Sequence, residues 1–97
     1  MRIYDVIWKN AFVEKLYAKH DITTDEVEEV LFTKPHIRFA EKGHIGGEHL
    51  YSAYGRTDAG RHLIVFFIRK RSAAALPISA RDMNRVERKY YDAQKKD

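Results

Sequence analysis

The sequence predicts an α+β fold: an antiparallel sheet of about four strands, two N-terminal helices packed on one face, and a C-terminal helix. Three observations support this prediction. Residues 63–68 form an uninterrupted apolar run, LIVFFI, as expected of a central strand. The segments around this run are joined by turns too short for parallel crossovers, which predicts hairpins. The N-terminal third shows the three- and four-residue spacing of amphipathic helices.

The N-terminal third is predicted to contain one strand and two helices. Residues 2–8 are apolar on both faces, which predicts a strand that is covered on both sides. Residues 9–20 change to helical periodicity, and Thr23 to Glu26 (TTDE) form a capping box that opens a second helix. Pro35 ends that helix, because the residue before a proline avoids the helical region. The short connection between the two helices predicts a helical hairpin.

The middle of the chain is predicted to be sheet, with strands over residues 37–40, 49–54, 62–69 and 73–79. Residues 56–60 have the composition of a turn, and residues 41–48, with three of the five glycines, are predicted to form a flexible loop. Pro77 cannot donate to a ladder, so it predicts an edge position or a bulge. The residues expected in the core are Phe12, Leu16, Val30, Leu31, Leu63, Val65 and Phe67.

Residues 79–91, SARDMNRVERKYY, are predicted to pass from a strand into a basic helix that starts near residue 82 and ends near residue 94. Helical spacing divides this stretch into a buried stripe of Met83, Val86 and Tyr90, an arginine face of Arg81, Arg85 and Arg88, and a third face with Glu87 and Tyr91. Guanidinium groups bind phosphate bidentately and keep their charge, so the arginine face predicts an anionic partner. The alternative is a solvated helix face with internal ion pairs.

Composition restricts the class of protein. The chain has 97 residues, 44% of them hydrophobic and 33% charged, which predicts one folded domain. It has no cysteine, which excludes disulfides, and no long apolar segment, so a soluble cytoplasmic protein without membrane association is expected. Lys and Arg number seven against nine acidic residues over residues 1–53, but eleven against five over residues 54–97. This basic C-terminal half is typical of proteins that bind polyanions.

Aromatic residues are interleaved with the basic residues of the C-terminal half. The basic set is Arg56, Arg61, Arg69, Lys70, Arg71, Arg81, Arg85, Arg88 and Lys89, and the aromatic set is Tyr51, Tyr54, Tyr90 and Tyr91. Arginines beside rings that can stack on bases are typical of single-stranded RNA binding. The alternative is that the tyrosines are half-buried core residues and the arginines pair with nearby carboxylates.

The five histidines, His20, His36, His44, His49 and His62, show no metal-ligand spacing. Without cysteine, no metal site and no cofactor are expected. His20 is predicted at a helix C-terminus, where a cation is favoured by the helix dipole. His49 and His62 start adjacent strands, which allows them to lie close across a hairpin, where either could be a general base. The commoner alternative is a polar histidine at a strand end.

Nearly the whole chain resembles the BrnT toxins of bacterial type II toxin–antitoxin systems. The resemblance begins with Trp8 and the pair Lys19-His20, and continues through an acidic helix to Pro35. It then includes Glu48, Gly55-Arg56-Thr57, Gly60-Arg61 and the strand at residues 63–67. It is strongest at Ile78 to Arg81 (ISAR), Glu87-Arg88 and Tyr91.

This resemblance implies a single toxin domain over residues 1–97 with a RelE-like fold, which cleaves mRNA without a metal and so inhibits translation and growth. It implies attack of the ribose 2′-hydroxyl on the adjacent phosphate, giving a cyclic phosphate and a free 5′-hydroxyl. For this reaction we assign phosphate stabilisation to Arg81 and Arg88, with Arg56 or Arg61 from the sheet, and name Glu87, Tyr91 and His49 as candidates for proton transfer. The candidates for RNA binding are Arg56, Arg61, Arg85 and Lys89. For Glu87 the alternative to proton transfer is to orient an arginine.

The implied partners are RNA and a small acidic antitoxin of the BrnA type. A basic chain is best silenced by an acidic one that covers its charged face. The alternative function is a non-catalytic nucleic-acid-binding module, or a degenerate toxin, that acts only within a complex.

Overall fold

The protein folds around one five-stranded sheet, and the computed structural model describes residues 1–43 and 48–95. The strands are β1 (Asp5–Val6), β2 (His36–Glu41), β3 (Leu50–Arg56), β4 (His62–Lys70) and β5 (Ala74–Asp82). The helices are α1 (Asn10–His20), α2 (Thr24–Phe32) and α3 (Arg85–Lys95), and a 3₁₀ turn (Arg71–Ala73) precedes β5. Residues 44–47 of the predicted loop at 41–48, and residues 96–97 at the end of the tail, lie outside the described residues.

The sheet is antiparallel except at one edge. Its strand order is β1-β5-β4-β3-β2, and the apolar β4 is central, as predicted. The sheet has five strands where about four were predicted, because β1 also joins it, in parallel with β5 at Ala74 and Ala75 alone. The expectation that residues 2–8 form a strand covered on both sides is wrong. Only Asp5–Val6 pair, and Tyr4 is 68% exposed because this strand lies at the edge of the sheet.

Helices α1 and α2 pack on one face of the sheet. Their buried side chains meet the odd-numbered side chains of β4 in one apolar cluster. All seven residues that the sequence placed in the core are buried there: Phe12, Leu16, Val30, Leu31, Leu63, Val65 and Phe67. The capping box of α2 is also confirmed, since Thr23 Oγ1 accepts from the Glu26 N–H at 3.1 Å and Glu26 Oε1 accepts from the Thr23 N–H at 3.0 Å. Helical periodicity and local capping therefore predicted this layer correctly.

Helix α3 packs on the opposite face, where the sequence analysis placed no helix. Tyr54, Ile64, Met83 and Tyr91 form a second buried cluster there, with Phe66 and Tyr90 packed against it. The physical reason is that β4 is apolar at even as well as odd positions. A strand with two apolar faces needs cover on both sides of the sheet.

Strand β5 is longer than predicted and carries a bulge. Phe66 pairs with Ser79 and Phe67 with Pro77, which leaves Ile78 as the extra residue. Strand β1 pairs with Ala74 and Ala75 of β5 and does not extend to Pro77. The missing N–H of Pro77 therefore interrupts no hydrogen-bond ladder at that edge. Because β5 runs to Asp82, α3 begins at Arg85 and not near residue 82. Arg81 is therefore a strand residue.

Two further features complete the fold. A Cβ built on Gly55 would lie 2.9 Å from Val30 Cγ1, so this glycine permits the close approach of α2 to β3. Over residues 1–43 and 48–95, none of the helices has the length and apolar character needed to cross a membrane.

Candidate active site

Helix α3 crosses the strands near one end of the sheet and leaves the rest of that face open. Near its start Glu87 contacts Arg81 on β5, and further along Tyr90 contacts His36 on β2. Its last residue, Lys95, donates to the Lys34 carbonyl just before β2 at 3.0 Å. The uncovered part of the face, called here the open sheet face, is lined by the half-buried or exposed side chains of Arg38, Leu50, Phe66, Ile68 and Ser79.

Arg81 and Glu87 form a bidentate ion pair at the border between α3 and the open sheet face. Arg81 Nη1 and Nη2 donate to Glu87 Oε1 and Oε2, each at 2.7 Å. The Arg81 guanidinium also lies 5.8 Å from the Phe66 ring centroid. The Arg81 side chain is 39% exposed, whereas that of Glu87 is 18% exposed. The arginine thus faces solvent while its carboxylate partner is largely covered.

Hydrogen bonding leaves one edge of the Arg81 guanidinium free. Nη1 donates to Glu87 and, at 3.3 Å, to the Asp82 carbonyl, and Nη2 donates once to Glu87. Of the five guanidinium N–H groups, Nε–H and the second Nη2–H have no partner among the described residues. These two N–H groups lie side by side and form the geometry that binds a phosphate bidentately. We call this pair the free fork of Arg81.

Glu87 is fixed by α3 as well as by the arginine. Its Oε1 accepts from the Asn84 N–H at 2.8 Å, and Asn84 Oδ1 accepts from the Glu87 N–H at 2.8 Å. This reciprocal pair is a capping box built with asparagine. The Arg81 hydrogen bonds lower the pKa of Glu87 below its ordinary value, and the Asn84 N–H adds to this effect. The Glu87 carboxylate therefore stays ionised near neutral pH, which suits the orientation of Arg81 better than proton transfer.

A histidine and a tyrosine lie further along the same border. His36 Nε2 and Tyr90 OH are joined by a 2.7 Å hydrogen bond, and the Tyr54 ring packs edge-on against both. The Arg38 guanidinium lies 4.8 Å from the Tyr90 ring centroid. Neither His36 nor Arg38 has a role predicted from the sequence. Their alternate positions on β2 were a usable signal, but only pairing with β3 shows which face they occupy.

Tyr91, Arg56 and His62 form a separate group on the other side of α3. The Tyr91 ring packs edge-on against His62 at 5.8 Å, and His62 Nε2 lies 3.7 Å from Asp92 Oδ1. His62 pairs with Arg56 across the strand ends. Tyr91 is only 6% exposed, and burial raises the pKa of its hydroxyl. Tyr91 is thus buried under α3 beside His62, whereas Glu87 is paired with Arg81 at the border of the open sheet face.

Arg61 serves a structural network. Its guanidinium donates to both Asp82 carboxylate oxygens, at 2.8 and 3.0 Å, and to the carbonyls of His20 and Asp21 at 2.9 and 2.8 Å. Glu26 lies 3.4 Å away. The hydrogen bond with Asp82 is the main cause of a raised pKa for Arg61 and a lowered pKa for Asp82. Arg61 therefore ties the α1–α2 connection to the end of β5.

The remaining predicted basic residues project from α3. Arg85, Arg88 and Lys89 are exposed. The predicted buried stripe is wrong at Val86, which is 75% exposed, while Tyr91 is buried in its place. The face of α3 that meets the sheet instead carries Glu87, Tyr90 and Tyr91, which are three and four residues apart. The charged face of α3 is thus solvated, whereas Arg81, on β5, is held in a defined pair.

His49 lies away from this border. Its ring packs edge-on against Phe39, 5.6 Å away, and its Nδ1 accepts from the Gly43 N–H at 3.1 Å. Phe39 shares the face of Tyr51 and Phe67, which is opposite to the face of Arg81. The expected proximity of His49 and His62 is wrong, because antiparallel strands start at opposite ends of the sheet. Over the described part of the chain, no three His, Asp or Glu side chains form a metal-binding group.

The fold and this border define a small basic α+β protein with an oriented arginine beside an open sheet face. Residues 8–87 match the model of a family described as ribonuclease toxin, BrnT, of type II toxin-antitoxin system. This match covers most of the chain, which therefore belongs to the BrnT family of ribonuclease toxins. Members of type II systems act with an antitoxin partner, and RNA is the substrate of a ribonuclease. No curated protein matches the chain significantly.

Proposed function

We propose that this protein is an endoribonuclease that cleaves mRNA by a metal-independent transphosphorylation, and that Arg81 holds the scissile phosphate. The free fork of Arg81 carries this proposal. Two parallel N–H groups remain available on a guanidinium whose other edge is fixed by Glu87. An arginine held in this way presents charge and direction to a phosphate without reorganisation during the reaction.

The proposed RNA path is the open sheet face. Phe66 lies beside Arg81 and offers a ring on which a base can stack. Arg38 is exposed at the far side of this face and supplies a second cation. Arg56, Arg85, Arg88 and Lys89 are exposed around α3 and are proposed to attract the flanking phosphates. Arg61, Tyr91 and His49 are left out of this proposal because of their structural partners or their burial.

The proposed reaction forms a bond between the ribose 2′-oxygen and phosphorus and breaks the bond from phosphorus to the 5′-oxygen. The products are a 2′,3′-cyclic phosphate and a 5′-hydroxyl. The pentavalent transition state carries additional negative charge on its phosphoryl oxygens, which the free fork of Arg81 is placed to bind. In this proposal Glu87 positions Arg81 and exchanges no proton.

The test is cleavage of a short single-stranded RNA by the purified, antitoxin-free protein in the presence of EDTA. We expect products with cyclic phosphate and 5′-hydroxyl ends. A matched oligonucleotide with one 2′-deoxyribose at the cleaved position should stay intact, because it lacks the nucleophile. RNA that is bound but never cleaved would support the alternative of a non-catalytic binding module. Activity that EDTA abolishes, or cleavage of the deoxy substrate, would contradict the mechanism.

The proposed partner is a small acidic antitoxin of the BrnA type. The basic surface around α3 complements an acidic chain, so the association rate should fall as salt rises. We also propose that residues 1–97 act as one toxin domain with a RelE-like arrangement. Co-purification of toxin and neighbouring gene product tests the partner, and a free toxin beside an unbound antitoxin would contradict it.

A further inference from the structure

The hydrogen-bonded couple of His36 and Tyr90 has no part in the phosphate site described above. His36 Nε2 and the Tyr90 hydroxyl oxygen are 2.7 Å apart, and the couple lies at the border of the open sheet face. The two rings are 5.4 Å apart, and Tyr54 packs edge-on against both His36, at 6.2 Å, and Tyr90, at 5.4 Å. Arg38 covers the Tyr90 ring. Neither side chain is therefore free to turn away.

The groups that face His36 favour its neutral form. Arg38 on β2 and Lys95 on α3 are cations, while Tyr54 on β3 and Tyr90 on α3 are uncharged phenols. Burial, followed by the charges of Arg38 and Lys95, lowers the pKa of His36 below its ordinary value. A neutral imidazole at pH 7 has a free nitrogen lone pair and can take up a proton.

Helix geometry and strand register relate this couple to the phosphate site. Tyr90 follows Glu87 by three residues on α3, and such neighbours have Cβ atoms about 5–6 Å apart on one helix face. Glu87 holds Arg81, so Tyr90 lies one helical turn from the residue that orients the free fork of Arg81. His36, Tyr54, Ile64 and Arg81 are successive cross-strand partners in one row from β2 to β5. An RNA strand bound at Arg81 must run along this row to bring its ribose to Tyr90.

We propose that Tyr90 and His36 form the proton-accepting couple for the ribose 2′-hydroxyl, an inference that rests on the RNA cleavage proposed above. The 2′-hydroxyl proton passes to Tyr90 Oη as the Tyr90 proton passes to His36 Nε2. The 2′-oxygen bonds to phosphorus, and the bonding pair of the broken P–O bond remains on the 5′-oxygen. Water protonates that oxygen, and His36 later returns its proton to solvent. Tyr90 touches the substrate, and His36 acts through Tyr90.

The test measures single-turnover RNA cleavage between pH 5 and 8 by the full chain. Tyr90→Phe keeps the ring and its packing but removes the relay, and we expect a 10²- to 10⁴-fold slower reaction. His36→Gln keeps a hydrogen-bond partner for Tyr90 but cannot take up the proton. The wild-type rate should rise with pH as His36 loses its proton, and this rise should vanish in His36→Gln.

Matched controls are available in the same chain. Tyr17→Phe removes an exposed tyrosine hydroxyl on α1, and His20→Gln removes an exposed imidazole at the end of the same helix. Both should keep the wild-type rate and its rise with pH. Thermal unfolding of each variant shows that it is folded.

The outcomes separate this inference from the proposed function. If the wild-type protein cleaves RNA while Tyr90→Phe or His36→Gln retains both the full rate and the same pH profile, the couple is not the proton acceptor. If His20→Gln flattens the pH profile and His36→Gln does not, the assignment of His36 is wrong. If the wild-type protein leaves RNA intact, the proposed function itself fails.

Discussion

Glu87 fixes Arg81 and the first turn of α3 with the same carboxylate. Its Oε1 accepts from Arg81 Nη1 at 2.7 Å and from the Asn84 N–H at 2.8 Å. The position of Arg81 therefore depends on the helix start, and the helix start depends on the last strand. A charged hydrogen bond of this kind contributes about 1.5–3 kcal/mol to stability. One carboxylate thus links packing of α3 to the geometry of the proposed phosphate site.

The first prediction concerns Arg81→Lys. Lysine keeps the positive charge but presents no planar fork, so it cannot hold Glu87 and a phosphate bidentately at the same time. We expect the protein to stay folded and RNA cleavage to slow by about 10²- to 10³-fold, as found on removal of one oriented donor. The measurement combines thermal unfolding and RNA cleavage on one sample.

The matched control for Arg81→Lys is Arg69→Lys, an exposed arginine of β4. It should cleave RNA at the parent rate. Cleavage by Arg81→Lys at the parent rate, or loss of activity only through unfolding, would show that Arg81 is not the phosphate-binding group.

The second prediction separates Arg61 from Arg81. Arg61→Ala removes hydrogen bonds to Asp82 and to two carbonyls, and leaves those acceptors unpaired. We expect a loss of unfolding free energy of about 2–3 kcal/mol, discounted for the partial exposure of this side chain. Denaturant titration measures it. The folded fraction should cleave RNA normally, and a stable but inactive Arg61→Ala protein would instead indicate an RNA contact.

The third prediction concerns the close approach at Gly55. Gly55→Ala places a methyl group 2.9 Å from Val30 Cγ1, and valine on a helix has little rotamer freedom to yield. We expect a destabilisation of about 1–3 kcal/mol from overpacking. Val30→Ala removes the clash, so Gly55→Ala should lower the free energy of unfolding by less in the Val30→Ala protein than in the wild type. Equal losses in the two proteins would show that Val30 is not the obstacle.

The fourth prediction is a fall in stability between pH 7.5 and 5.5. The folded pKa values of His36 and His62 are lowered, chiefly by burial, below the ordinary value of 6.5. As pH falls through 6.5 the unfolded chain binds these protons before the folded one does, so the free energy of unfolding decreases. Urea titrations at both pH values measure the decrease. The decrease in unfolding free energy should be smaller in the His36→Gln/His62→Gln double variant. If the double variant shows the same decrease as the wild type, other groups cause it.

Local patterns predicted most of the fold. The capping box at Thr23 and Glu26 specifies where α2 starts, because both hydrogen bonds form within four residues. The apolar run of β4 requires burial, and its central position in the sheet is confirmed. The sequence also indicated Arg81 as an anion-binding residue and offered orientation of an arginine as an alternative role for Glu87.

Tertiary structure decided which residues meet at the site. Alternate residues of a strand lie on opposite faces of the sheet, and His36 and Arg38 lie on the face of Tyr90 whereas His49 lies on the other. Which alternate set occupies which face is known only once the register with the partner strand is known. The packing of α3 on the sheet places Tyr90 at the border of the open sheet face and buries Tyr91. The sequence by itself determined the helices, the central strand and the basic character of the C-terminal half. The packing of α3 across the second apolar face of β4 determined which charged side chain is held in a fixed orientation, namely Arg81. Sequence patterns do not show this, because the contacts of α3 join segments that are distant along the chain.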